Sequence, residues 1–178
     1  HQTWISIAKG HMLEDDMNDG CVTLHAAGLP HATGFFVLPT MLKGGTNVIL
    51  NKFDPKKFYS AVEKERITHV FLAPTMIYML LDYPEKENYD ISSLRCLLYG
   101  GAPIHTERLK EAMDFFGRCL KGGYAQMEAA NMICRLTQKE HIKTGPDNLV
   151  ERLTSCGRPV NMVKLRIPLI IDVYFDKF

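Results

Sequence analysis

Leu94-Arg95-Cys96-Leu97-Leu98-Tyr99-Gly100-Gly101 reads as a buried strand that ends on a glycine pair. Thr106 to Phe116 follows as an amphipathic helix, with Leu109, Met113 and Phe116 at helical spacing. Arg118-Cys119-Leu120 then reads as a second strand, closed by Lys121-Gly122-Gly123. Strand, helix, strand with no hairpin turn between them is the unit of a parallel sheet.

The same alternation extends upstream. Ile67 to Leu72 reads as a strand, and Pro74 opens a helix over Thr75 to Leu81. Thr46 to Leu50 is β-branched and precedes Asp54-Pro55, an N-cap and a first-turn proline for a helix carrying Phe58 and Val62. Gly20 to Leu24 reads as a short strand, His31 to Leu42 as a helix stopped by Gly44-Gly45, and Trp4 to His11 as a helix. The expected fold class is therefore α/β, a largely parallel sheet flanked by helices on both faces. Downstream, Lys139 to Arg152 reads as an exposed loop and Val160 to Ile167 as returning strand. The tail 168–178 is left unassigned.

Composition narrows the function classes. The 178 residues carry a formal net charge of +1, and no run of five or more Lys/Arg occurs, which argues against nucleic acid as a partner. The five cysteines have wide spacings and no CxxC, as expected of buried reduced thiols in a cytoplasmic protein. No apolar run reaches membrane-spanning length. There is no GxGxxG, GxxxxGK[ST] or GxSxG, which disfavours a dinucleotide fold, a P-loop NTPase and a serine nucleophile elbow. Asp15, Asp16 and Asp19 lack calcium-loop spacing and read as a solvated loop. His25 and His31 have no companions spaced as metal ligands; His31 sits at a loop-to-helix junction.

The chemical signal is Lys121-Gly122-Gly123-Tyr124-Ala125-Gln126-Met127-Glu128. Two glycines allow close backbone approach, an aromatic ring can cover a flat ligand, and a carboxylate can hold a hard cation. At the carboxyl end of a strand, that combination suits a nucleotide. Gly100-Gly101-Ala102-Pro103 ends the preceding strand, so two small-residue turns would form a slot for a planar ring.

Taken in order, the motifs resemble the adenylate-forming acyl-CoA synthetases, of the fatty-acyl and 4-coumarate–CoA ligase type. The residues are Leu29-Pro30-His31-Ala32-Thr33-Gly34, Leu42 to Thr46, Phe53-Asp54-Pro55, Ala73 to Met76, Ser92 to Arg95, Tyr99 to Pro103, Gly123 to Glu128 and Gly157-Arg158-Pro159. The resemblance covers 1–167, a partial AMP-binding (adenylation) domain. It implies an ATP-dependent carboxylic acid–CoA ligase working through an acyl-adenylate, with ATP, Mg²⁺ and coenzyme A as co-substrates. The acid it implies is a fatty acid, and a peripheral contact with a membrane stays open.

The resemblance also assigns residues. His31, Gly101, Ala102 and Tyr124 would line the acyl pocket. Gly101, Gly122, Gly123, Tyr124 and Met127 would meet the nucleotide, and Glu128 would be the Mg²⁺ ligand. Phe35, Phe36 and Met132 are candidate apolar walls. Met127 departs from the family pattern: a threonine whose hydroxyl binds phosphate is expected there, and a thioether cannot donate that bond. The family's Ser/Thr/Gly-rich phosphate loop, ribose-binding aspartate and catalytic lysine do not occur in the 178 residues. The expectation is a central part of an N-terminal domain, without turnover by itself. The alternative is a degenerate homologue that binds an acyl chain or a protein partner.

Overall fold

The computed structural model describes residues 2–126, 129–141 and 149–166. In chain order the helices are α1 (Gln2–Glu14), α2 (Val37–Leu42), α3 (Pro55–Glu65), α4 (Pro74–Leu81), α5 (Thr106–Phe116) and α6 (Leu149–Thr154). The strands are β1 (Val22–His25), β2 (Thr46–Ile49), β3 (His69–Leu72), β4 (Cys96–Gly100), β5 (Leu120–Gln126), β6 (Ala129–Leu136) and β7 (Arg158–Pro159). They form one sheet in the order β2-β1-β3-β4-β5-β6-β7. From β2 to β5 the neighbours are parallel; β5–β6 and β6–β7 are antiparallel.

The local signals explain most elements. Asp54 caps α3 by accepting from the Lys57 amide at 2.9 Å, and Pro55 occupies its first turn. Arg66 ends that helix in the left-handed region. The central strands are buried on both faces. In β4, Leu97 and Tyr99 face the core under α3, α4 and α5, while Cys96 and Leu98 face the core holding Met17 and Phe36. Helices therefore cover both faces, as the alternation predicts.

Four expectations need correction. Gly117–Cys119 is a 3₁₀ turn, so β5 begins at Leu120 and Gly122-Gly123 lies inside the strand rather than in a turn after it. The reason is packing: a Cβ at Gly122 would lie 2.9 Å from the Tyr99 hydroxyl, and one at Gly100 would lie 2.5 Å from the Gly123 carbonyl oxygen. Second, β6 goes unread in the sequence, because it pairs antiparallel with β5 and carries the charged Arg135 inward. Third, 139–152 is not simply an exposed loop: Gln138–His141 is a 3₁₀ turn, His141 is buried, and α6 follows. Fourth, 160–166 forms no strand; its strand character is spent at Arg158–Pro159, after which the chain turns at Asn161-Met162. The tail 168–178 lies outside the described residues.

Two buried histidines link the fold to pH. His69 Nε2 donates to the Asp15 carbonyl oxygen at 3.0 Å. His141 Nδ1 donates to the Thr137 carbonyl oxygen at 2.7 Å, so its Nε2 accepts from the Tyr99 hydroxyl at 2.9 Å. Burial pushes both rings below the ordinary value of 6.5. The unfolded chain then binds more protons, so this contribution is complete above about pH 6.5 and is lost as pH falls from there. The urea midpoint should fall between about pH 7.5 and pH 5, and His141→Gln should flatten that slope. An unchanged midpoint across the range would refute it.

Candidate adenylate site

The parallel strands present their carboxyl ends along one edge; His31, Gly101 and Ala102 follow such strands, Gly122, Gly123 and Tyr124 lie within β5, and Met132 lies on the antiparallel β6. In the strand order β2-β1-β3-β4-β5, the chain leaves β1 in opposite directions, which makes the β1/β3 edge the switch point where open α/β sheets place ligands. His31 lies on the loop after β1, Ala73-Pro74 follows β3, and Gly101-Ala102 follows β4. The last β4–β5 pair is Gly100 with Gly123, so Tyr124, Ala125 and Gln126 project past the end of β4. A cleft of about 440 Å³ opens on this edge between Ala26–Leu29, Ile49–Phe53 and Met76. None of the candidates lines this cleft, nor a second groove of about 560 Å³ along α3.

The candidates differ in setting. His31 is exposed and precedes the 3₁₀ turn Ala32–Phe36, without a side-chain capping bond. Gly101 and Ala102 are exposed; Gly101 has φ 83° and open space where a Cβ would be, which suits a ligand-facing turn. Gly122 is buried and Gly123 half-buried. Tyr124 is 37% exposed, and its hydroxyl accepts from Gln126 Nε2 at 2.5 Å. Met127 and Glu128 lie outside the described residues. Phe36 and Met132 are buried in the core, and Phe35 meets the edge of Trp4 at 6.0 Å, so these apolar side chains already have packing partners.

Residues to which the sequence assigns no site role hold this edge in place. His25 is fully buried at the end of β1. Its Nδ1 is 3.1 Å from the Thr33 carbonyl oxygen and its Nε2 is 2.6 Å from Asn47 Oδ1, which ties the His31 loop to β2. Gly34 sits directly under that loop, where a Cβ would lie 2.0 Å from the Leu29 carbonyl oxygen. Gly34→Ala should cost about 1–3 kcal/mol by forcing the backbone apart. It should also shift the His31 ring resonances; unchanged resonances and stability would show that the loop is not seated on Gly34.

The acidic cluster is the clearest departure from expectation. Asp15 is fully buried, not solvated. It pairs with Arg135 and with His11 Nδ1, the latter at 2.6 Å. Burial alone would raise its carboxyl pKa, but the Arg135 charge and the His11 hydrogen bond outweigh this and hold it below the ordinary range. Asp16 pairs with Lys121 at 2.7 Å. Asp16 and Asp19 stay exposed, Asp19 3.4 Å from Lys43.

Sequence comparison decides the family. The match to the AMP-binding enzyme family spans residues 1–168. The chain belongs to the AMP-binding enzymes. Among AMP-binding relatives, it is 39% identical over 139 residues to the medium/long-chain-fatty-acid–CoA ligase FadD8 of Mycobacterium tuberculosis, covering 78% of this chain and 23% of that protein. It is 37% identical over 158 residues to a feruloyl-CoA synthase of Amycolatopsis sp, covering 88% and 30%. The chain thus spans about a quarter to a third of these relatives. Among solved structures, the amide bond synthetase McbA from Marinactinospora thermotolerans superposes with a TM-score of 0.80 at 32% identity, over 89% of this chain and 31% of that one. The fold is also that of the o-succinylbenzoate–CoA synthetase of Bacillus subtilis (TM-score 0.74, 22% identity, 89% and 38% covered).

Proposed function

We propose that this chain contributes the acyl and adenylate pocket of an acid–CoA ligase, an enzyme that activates a carboxylic acid as its acyl-AMP before transfer to a thiol. The observation that carries the proposal is the gathering of His31, Gly101, Ala102 and Tyr124 along one carboxyl edge of the sheet. In this reading His31, Gly101, Ala102 and Tyr124 line the acyl pocket near the reacting carboxylate. Gly101, Gly122, Gly123, Tyr124 and Met127 face the nucleotide.

Glu128 would hold Mg²⁺. Among the described residues no group of three or more His, Cys, Asp or Glu side chains is placed to hold a metal ion. That is compatible with nucleotide-bound Mg²⁺, which is commonly held by one or two carboxylates plus substrate phosphates rather than by a protein cage. When bound, the ion would neutralise the phosphates.

The acid is proposed to be a fatty acid, in keeping with the fatty-acid ligase among the relatives; a feruloyl-CoA synthase and an amide bond synthetase among them mark the aryl acid and the amine acceptor as competitors. A cytoplasmic setting belongs to the same proposal, supported by five free cysteines. By itself the 178-residue chain is expected to give no ATP–pyrophosphate exchange, since it spans only 23–30% of the ligases it matches.

The deciding experiment is a thermal-shift panel of dodecanoyl- and feruloyl-adenylate analogues, with Gly101→Val as the blocked-site control. Stabilisation by the fatty analogue that disappears in Gly101→Val supports the proposal. No response to either analogue overturns it. Met127 favours a second reading, a non-catalytic acyl-binding homologue. In the protein at its relatives' full length, Met127→Thr should raise acyl-AMP formation by about ten-fold or more if a phosphate hydrogen bond is gained, and leave it at zero if the second reading holds.

A further inference from the structure

α1 ends at Glu14, Asp15 and Asp16 follow it directly, and Asp16 turns the chain with left-handed backbone at φ 54°. Two cations from the β5–β6 hairpin meet this corner, one from each strand. From β5, Lys121 Nζ donates to the Glu14 carbonyl oxygen at 2.9 Å and to the Asp16 carboxylate at 2.7 Å. From β6, Arg135 Nη2 donates to the Asp15 carboxylate. Lys121, Arg135 and Asp15 are all buried. The Nε and Nη1 atoms of Arg135 have no hydrogen-bond partner among the described residues, so Asp15 is the anchor of that guanidinium.

The hairpin needs such anchors. Its register is regular from Gly122–Leu136 to Tyr124–Cys134 and then breaks, with Gln126 opposite Ala129. Two residues of β5 therefore span the same interval as five of β6. Gly122 and Gly123 bring no side chains to lock the pairing, and irregular or glycine-rich strands slip easily. A buried ion pair adds little net stability but can specify register.

We infer that the Glu14–Asp16 corner, with Lys121 and Arg135, is a two-point clamp that sets the register of the β5–β6 pair at its base. Asp15, Lys121 and Arg135 are then positioning residues for the adenylate site, acting through the strand that carries Tyr124. The positioning role rests on the proposed function; the clamp itself does not.

Amide hydrogen exchange followed by NMR tests the clamp without any nucleotide. In Arg135→Met, amides of 122–126 and 132–136 should exchange about ten-fold or more faster, while those of β1 and β3 keep their rates. Arg135→Lys should restore part of the protection. Lys121→Met, whose partner Asp16 is solvent-exposed, carries the same test if Arg135→Met does not fold. Faster exchange spread evenly over the sheet, or none in the hairpin, would overturn the clamp. In ATP–pyrophosphate exchange by the protein at its relatives' full length, Asp15→Asn should lower kcat by about ten-fold or more, with KM for the acid held within about two-fold, since small misplacements of a reacting group act on the chemical step. A rise in that KM with kcat unchanged would overturn the positioning role. Absence of exchange in the parent protein at its relatives' full length would instead overturn the adenylate reading, leaving the clamp to the hydrogen-exchange result.

Discussion

Asp15→Leu should lower the free energy of unfolding by about 3–5 kcal/mol, the cost of leaving a buried charge without its partner. The charge left behind is Arg135, which is 2% exposed and has no other carboxylate within ion-pair distance among the described residues. His11 and the Cys96 thiol lose the same carboxylate, at 2.6 and 3.9 Å. The double variant Asp15→Leu/Arg135→Met should recover most of the loss, because replacing both partners by apolar groups of similar volume is often near neutral. Urea titrations of the four proteins give the coupling directly. Additive losses in the double variant would mean that the two side chains do not act as a pair. Acid should mimic the single variant: with Asp15 held below the ordinary carboxylate range, its contribution is complete above about pH 4 and is lost as pH falls further.

Tyr59→Ala should cost a comparable amount, about 3–5 kcal/mol, through a cavity in the face beneath α3, α4 and α5. Tyr59 is fully buried on α3. It stacks on Tyr83 and Tyr89 with centroids 5.8 and 5.6 Å away, and Phe58 and Phe115 meet it edge-on at 5.4 and 6.3 Å. Its hydroxyl donates to the Leu80 carbonyl oxygen at 3.0 Å, joining α3 to α4, and burial pushes its pKa up so that it stays neutral. Tyr59→Phe keeps the stack and removes only that bond, at about 0.5–1.5 kcal/mol. Chemical denaturation separates the two terms. A Tyr59→Ala variant within about 1 kcal/mol of the parent would show that the cavity collapses freely.

Both predictions concern parts of the molecule that the sequence exposes unequally. The Asp54-Pro55 start of α3, the Pro74 start of α4 and the apolar run of β4 are local signals, and each element forms where it is signalled. The order of motifs from Leu29 to Arg158 identifies the family for the same reason: it is a one-dimensional pattern. His31, Gly101, Ala102 and Tyr124 are candidates through the resemblance to the family, whose motifs carry them residue by residue; that they share one edge of the sheet is a matter of topology. Gly122 and Gly123 were read as a turn, since a glycine pair signals chain reversal as readily as close strand packing. Asp15 was read as solvated because nothing nearby in sequence could neutralise it; its partner Arg135 is 120 residues away.

The sequence by itself determined the parallel α/β framework and the AMP-binding family, because alternation, caps and motif order are properties of neighbouring residues. Only the tertiary structure decided that β6 and β7 close the sheet antiparallel, that Gly100 and Gly123 let two backbones touch, and that Lys121 and Arg135 are drawn inward to the end of α1. The physical reason is desolvation. A charge enters the interior only where an opposite charge from a distant segment meets it, and that meeting exists only once the chain has folded.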